Sequence, residues 1–142
     1  QILSIDLSNN TDLTYLYLHG CGIESIDLSN NAALLYLQLP YNSLTSIDLS
    51  SNVELKQLYL SDNRLTSIDL TNNTALTHLN LSSNEFTRSL DLSYLIQLES
   101  VDISGNPLNN IDEGTGDEGG WVITVPIPWS GGGSSNSVIG AQ

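Results

Sequence analysis

The sequence predicts a solenoid of about five coils, each laying one short strand into a parallel sheet on the concave face, with extended segments and turns on the convex face. Three observations predict it. A phrase of leucines recurs at offsets of 21, 21, 21 and 22 residues. Each copy alternates apolar and polar residues with period two, as a half-buried strand requires. A second phrase recurs between the copies, always in the same place.

Leu13-Thr-Tyr-Leu16-Tyr-Leu18 is the first copy of the strand phrase. It returns at Leu34 to Leu39, Leu55 to Leu60 and Leu76 to Leu81, and then as Leu98 to Ile103 with Val101 in the middle. A constant offset brings the chain back to the same place one coil further on, so successive strands lie about 4.8 Å apart. The second phrase, Ser4-Ile-Asp-Leu7, returns at Ser25, Ser46 and Ser67 and as Ser89-Leu-Asp-Leu92; Ile111-Asp112 begins it once more. Here Ile26 and Leu28 point inward and Ser25 and Asp27 outward, after which Ser-Asn-Asn or a variant breaks the chain. Few residues remain on the convex side, too few for regular helices. One coil supplies about six inward apolar side chains, so each must bury them against its neighbours.

The phrase LxxLxL followed by Asn or Cys matches four times, and a fifth time with Val101 and Ile103 replacing leucine. In this the chain resembles the leucine-rich repeat family over residues 2 to 111, and the 21-residue length with its LxLD-like second half is similar to the bacterial subclass called IRREKO. The resemblance implies a leucine-rich repeat solenoid from a secreted or cell-surface bacterial protein. The acidity of the chain, its lack of methionine and its single cysteine agree with that location. Residues 1–111 are expected to form the solenoid. Residues 112–142 are expected to form an acidic glycine-rich loop, a C-terminal capping strand within Trp121 to Trp129, and a Gly/Ser linker with a docked tail or the start of another domain. The absence of a cap at the first coil leads to the expectation of a piece of a larger protein or of a chain that lacks its leading repeats.

Composition narrows the function. Of 142 residues, 3 are basic and 16 acidic, a net charge of −13 that argues against nucleic acid and anionic membrane surfaces as partners. No apolar run approaches the length of a membrane span. The chain holds neither a nucleophile elbow, a zinc-protease motif nor a phosphate loop, and His19 and His78 sit 59 residues apart. The expectation is therefore a non-catalytic module with no cofactor and no bound metal.

The outward positions of the strand phrases supply the candidate ligand-binding residues: Tyr15, Tyr17, Tyr36, Gln38, Gln57, Tyr59, His78 and Asn80, with His19 just beyond the first strand and Ser100 and Asp102 completing the face. Four of the 6 tyrosines fall there. Tyrosine suits an exposed strand through propensity alone, so the rings can serve merely to shield backbone. As a patch rimmed by amides, they suit a protein or glycan partner. The alternative is a structural spacer or stalk in a multidomain surface protein, stabilised by calcium, in which this face is incidental.

Three further columns call for a role. Asn42, Asn63, Asn84 and Asn106 close the strand phrases, where an amide can serve backbone groups that the turn leaves unpaired. Cys21 shares their column and reads as a buried structural thiol. Asp6, Asp27, Asp48, Asp69, Asp91 and Asp112 recur once per coil; their repulsion needs an offset, either backbone N–H donors from the following turn or a cation such as calcium. Asn9-Asn10, Asn30-Asn31, Ser51-Asn52 and Asn72-Asn73 read as an exposed polar ladder on the convex side.

Overall fold

The computed structural model describes residues 4–88, 90–107, 122–124 and 137–139. Four strands of one triplet each open the chain: β1 (Tyr15–Tyr17), β2 (Tyr36–Gln38), β3 (Gln57–Tyr59) and β4 (His78–Asn80). They are followed by β5 (Leu90–Asp91), β6 (Ser100–Asp102), β7 (Val122–Thr124) and β8 (Ser137–Ile139). Strands β1, β2, β3, β4 and β6 form one parallel sheet in that order. The described residues contain no helix.

The sheet register is the sequence period made visible. Leu16, Leu37, Leu58, Leu79 and Val101 pair in one column, flanked by the columns that begin at Tyr15 and Tyr17. Because side chains alternate along a strand, the central column turns inward and both flanking columns turn to solvent. Leucine columns from the rest of each coil fill the interior. In the middle coils Leu34, Leu37, Leu39, Leu44, Leu55, Leu58, Leu60 and Leu65 are fully buried. In the first described coil, which has a described neighbour on one side only, Leu13 and Leu18 are half-buried.

On the back of each coil the second phrase runs extended and then turns. Ile26, Ile47 and Ile68 pack half-buried against the core, while Leu28, Leu49, Leu70 and Leu92 are buried. The turn itself is repeated: the N–H of Asn10, Asn31, Asn52, Asn73 and Leu95 donates to the carbonyl of Leu7, Leu28, Leu49, Leu70 and Leu92, respectively. Here the convex ladder expected from sequence is corrected. Asn31, Asn52 and Asn73 are buried, and their exposed neighbours Asn30 and Asn72 alternate with Ser51, which is half-buried. In the three later pairs the turn directs the second residue inward, against the coil before it, whereas Asn10, with no described coil before it, is exposed.

A second sheet begins where the repeat changes. The back phrase between β4 and β6 becomes β5, which pairs in parallel with β7, matching Leu90 to Ile123 and Asp91 to Thr124. β7 in turn pairs antiparallel with β8, Val122 opposite Ile139. The strand expected within Trp121 to Trp129 thus has its described part alongside the back of the last coil. Asp112, the acidic pairs that follow it, both tryptophans and most of the Gly/Ser segment lie outside the described residues.

Candidate binding face

Outward residues of the five-stranded sheet line up as expected, in the rows Tyr15, Tyr36, Gln57, His78, Ser100 and Tyr17, Gln38, Tyr59, Asn80, Asp102. Tyr15 and Tyr17 are half exposed, at 50% and 49%. Tyr36, Gln38, Gln57, Tyr59, His78 and Asn80 are flanked on both sides and half-buried, while Ser100 and Asp102 are exposed. Composition grades along the row, aromatic over β1 to β3 and polar over β4 and β6.

The aromatic end is organised. Tyr15 and Tyr36 pack ring to ring, with centroids 6.2 Å apart and planes tilted by 49°. Tyr17 stands edge-on to His19, and its hydroxyl lies 3.0 Å from His19 Nδ1. His19 stacks nearly flat on Tyr41, with centroids 4.9 Å apart and an angle of 11°. Tyr41 is the most exposed tyrosine of this cluster, at 57%, and belongs to the face although the alternation that identified the others stops before it. A signal for it exists: the matching positions one coil before and three coils after are Gly20 and Gly105, which mark a left-handed turn at the strand's end. Tyr41 holds that conformation, with φ of 56°, as do Asp62 and Ser83 in the intervening coils. The ladder continues through this column, the Tyr41 N–H donating to Ser61 and the Asp62 N–H to Ser82.

Two residues of the polar end serve the scaffold as well. Asn80 Oδ1 accepts from the Ser82 N–H at 2.9 Å and the Ser82 hydroxyl at 2.7 Å. Asp102 Oδ1 accepts the same pair from Ser104. His78 Nδ1 lies 2.9 Å from the Thr77 hydroxyl. No group of three or more His, Cys, Asp or Glu arranged to hold a metal ion occurs among the described residues.

Beneath the ends of the strands, the asparagine column binds one coil to the next. Asn42 Oδ1 accepts from the N–H groups of Cys21 and Ile23, while its Nδ2 donates to Leu18, Leu39 and Pro40 carbonyls at 2.7 to 3.2 Å. Asn63 and Asn84 repeat this, accepting from Leu44 and Leu65. Asn106 accepts from Phe86 and donates to Leu81 and Ile103. Cys21 heads the column but is half-buried rather than buried, because no described coil covers it; its thiol faces the His19 carbonyl at 3.5 Å.

Each described aspartate of the back column has its local donors. Oδ1 of Asp6, Asp27, Asp48, Asp69 and Asp91 accepts the N–H of the Ser or Thr two residues on, each at 2.9 Å. At Asp27 and Asp69 the hydroxyl of that residue adds a bond of 2.6 Å. Hydrogen bonds from Ser29, the hydroxyl foremost and then the amide, hold the Asp27 carboxyl below the usual aspartate range, although Asp48 and Asp6 push it upward. The same balance lowers Asp48 against its neighbour Asp69. Local hydrogen bonding therefore outweighs the repulsion between coils. Shallow grooves between successive coils, one bordered by Asp48, Ser50, Asp69 and Thr71, follow this column.

With fold and face in place, similarity to known proteins takes on structural meaning. The family model for leucine-rich repeats matches residues 53–93 as two copies. A solved structure of the functional domain of InlJ from Listeria monocytogenes superposes with a TM-score of 0.71 at 38% identity, over 77% of this chain and 24% of that one. This chain thus spans about a quarter of the length of that solved domain. A search of curated protein sequences returns no significant match. The chain carries leucine-rich repeats, and the parallel sheet and register of its described residues form a leucine-rich repeat solenoid like that of the bacterial structure on which it superposes.

Proposed function

We propose that the chain is a non-catalytic recognition module of a secreted or cell-surface bacterial protein, and that it holds a protein partner against the aromatic end of its sheet face. The observation that carries this reading is the patch of partly exposed tyrosines, Tyr15, Tyr17 and Tyr36, in which Tyr15 and Tyr36 pack ring to ring and Tyr17 packs edge-on against His19. Tyrosine offers a large amphipathic contact with few torsions to freeze. A scaffold held by continuous hydrogen-bond columns loses little conformational freedom on binding, so more of the contact energy appears as affinity. Among the described residues no helix is long and apolar enough to cross a membrane. The solved relative is described as including a cysteine ladder; here the corresponding kind of repetition is carried by asparagine, and Cys21 is the single cysteine.

The test is a screen of the purified chain against arrays of extracellular proteins and of glycans, in parallel with a variant carrying Tyr15→Ser, Tyr17→Ser and Tyr36→Ser. Retention of a protein ligand by the parent and its loss in the variant is the expected result. Equal retention by both assigns the chain to the spacer role, and binding confined to glycans replaces the protein partner by a sugar.

A further inference from the structure

We propose that the exposed ring of Tyr41, with Asp62 one coil on in the same column, receives an arginine side chain of the protein partner, a reading that rests on the partner role of the face and extends it to a site at the strand ends. The backbone at Tyr41 is left-handed, a conformation that bulky L residues rarely adopt and that the same column elsewhere gives to Gly20 and Gly105. Interior packing does not account for a tyrosine there, since more than half of its surface meets solvent. One face of its ring lies flat on His19, and His19 is in turn fixed by the Tyr17 hydroxyl, so the three rings form a ledge with a set orientation. The other face of the Tyr41 ring turns away from the coil that carries His19. On that side the register puts Asp62, one coil on in the same column and in the same left-handed conformation.

An aromatic face beside a carboxylate is a site for a cation. The ring quadrupole attracts positive charge over the ring, and the planar guanidinium can stack on it while directing N–H donors to a carboxylate, which an ammonium does less well. Charge over the whole chain points the same way: it carries −13, and Arg64, one of its 3 cations, is already turned to Glu85 at 3.5 Å. A basic partner segment would be drawn to this surface before contact and oriented by the ledge after it.

The test is calorimetric titration of the full chain with N-acetylated tetra-arginine amide. Tyr41→Gly should weaken binding about fivefold or more without lowering the melting temperature, because glycine already holds this backbone position at Gly20 and Gly105. Asp62→Asn should also weaken it several-fold, whereas Asp27→Asn, an identical charge change on the back of the solenoid, should leave it within about twofold. Equal affinity in Tyr41→Gly, or equal losses in Asp62→Asn and Asp27→Asn, overturns the proposal in favour of diffuse attraction to an acidic surface. If an oligosaccharide binds the parent and loses affinity in Tyr41→Gly while tetra-arginine does not, the ledge stacks sugars instead. Should Tyr17→Ser with Tyr36→Ser abolish capture of a protein ligand while Tyr41→Gly leaves tetra-arginine binding intact, the sheet face stands as a recognition surface and the arginine site falls.

Discussion

Two columns of buried asparagine run through the middle coils of the solenoid, and they solve the same problem unequally. At the strand ends, Asn42, Asn63 and Asn84 use both halves of the amide: the oxygen accepts from the previous coil, and the nitrogen donates to both coils. On the back, Asn31, Asn52 and Asn73 use only the nitrogen, donating for example from Asn52 to Leu28 and Asn31 at 3.2 and 2.9 Å. Their oxygens are buried where no protein donor reaches them. A desolvated acceptor with nothing to accept removes much of what the two donated bonds contribute. The last coil acts out the difference. It keeps Asn106 at the strand end but places Leu95 in the back column, and the turn persists with Leu95 N–H donating to Leu92 and Leu98 N–H to Leu95. The first column is thus required by the backbone, and the second is one solution among others.

Breaking the stronger column should produce the largest effect. Asn63→Ala strands the buried Leu44 N–H and removes one donor each from the Leu39, Leu60 and Ser61 carbonyls, which keep Asn42, Asn84 and the Tyr41 N–H, and should cost about 3 kcal/mol in urea unfolding. Asn52→Leu, which copies the last coil, should change stability by no more than about 1 kcal/mol. A loss at position 52 as large as that at 63 would show that the unpaired oxygens contribute something the geometry does not explain.

A smaller effect tests the aspartate column. Because hydrogen bonds lower the Asp27 and Asp69 carboxyls from their ordinary value of 3.8, their contribution is complete well above that pH and is lost as pH falls through and below it. Acid unfolding should therefore lose steepness in a Ser29→Ala, Thr71→Ala variant, which removes the hydroxyl donors while leaving both N–H donors in place. An unchanged acid transition would mean that these hydroxyls do not set the carboxyl affinities. Added calcium should leave the melting temperature of the parent unmoved, because the local donors already offset the repulsion that a cation would relieve.

Much of this molecule was legible from its letters, for a reason specific to repeats. Period two fixed which of Tyr15, Leu16 and Tyr17 turns inward, and the 21-residue offset carried that answer to every later strand. Asparagine at the strand ends could be assigned because a turn there leaves backbone groups to be served. What stayed hidden had no such rule. In Asn30-Asn31 both residues favour turns, and only the direction of the chain reversal buries the second. Asn80 looked like a ligand-facing amide, but its oxygen bonds to a serine two residues on. Tyr41 escaped because alternation ends with the strand, and the clue lay in glycines one and three coils away. The pairing of β5 with β7 joins segments far apart in sequence, where periodicity has ended.

On the proposed reading, the polar columns build the scaffold while the tyrosine end of the sheet meets the partner. Its most direct measurement is the affinity of a captured protein ligand for two double variants, Tyr17→Ser with Tyr36→Ser on the sheet and Asn30→Ser with Asn72→Ser on the back. The first pair should weaken binding more than about tenfold and the second by less than about twofold. Equal effects, or a greater loss from the back, would contradict the assignment of recognition to the sheet.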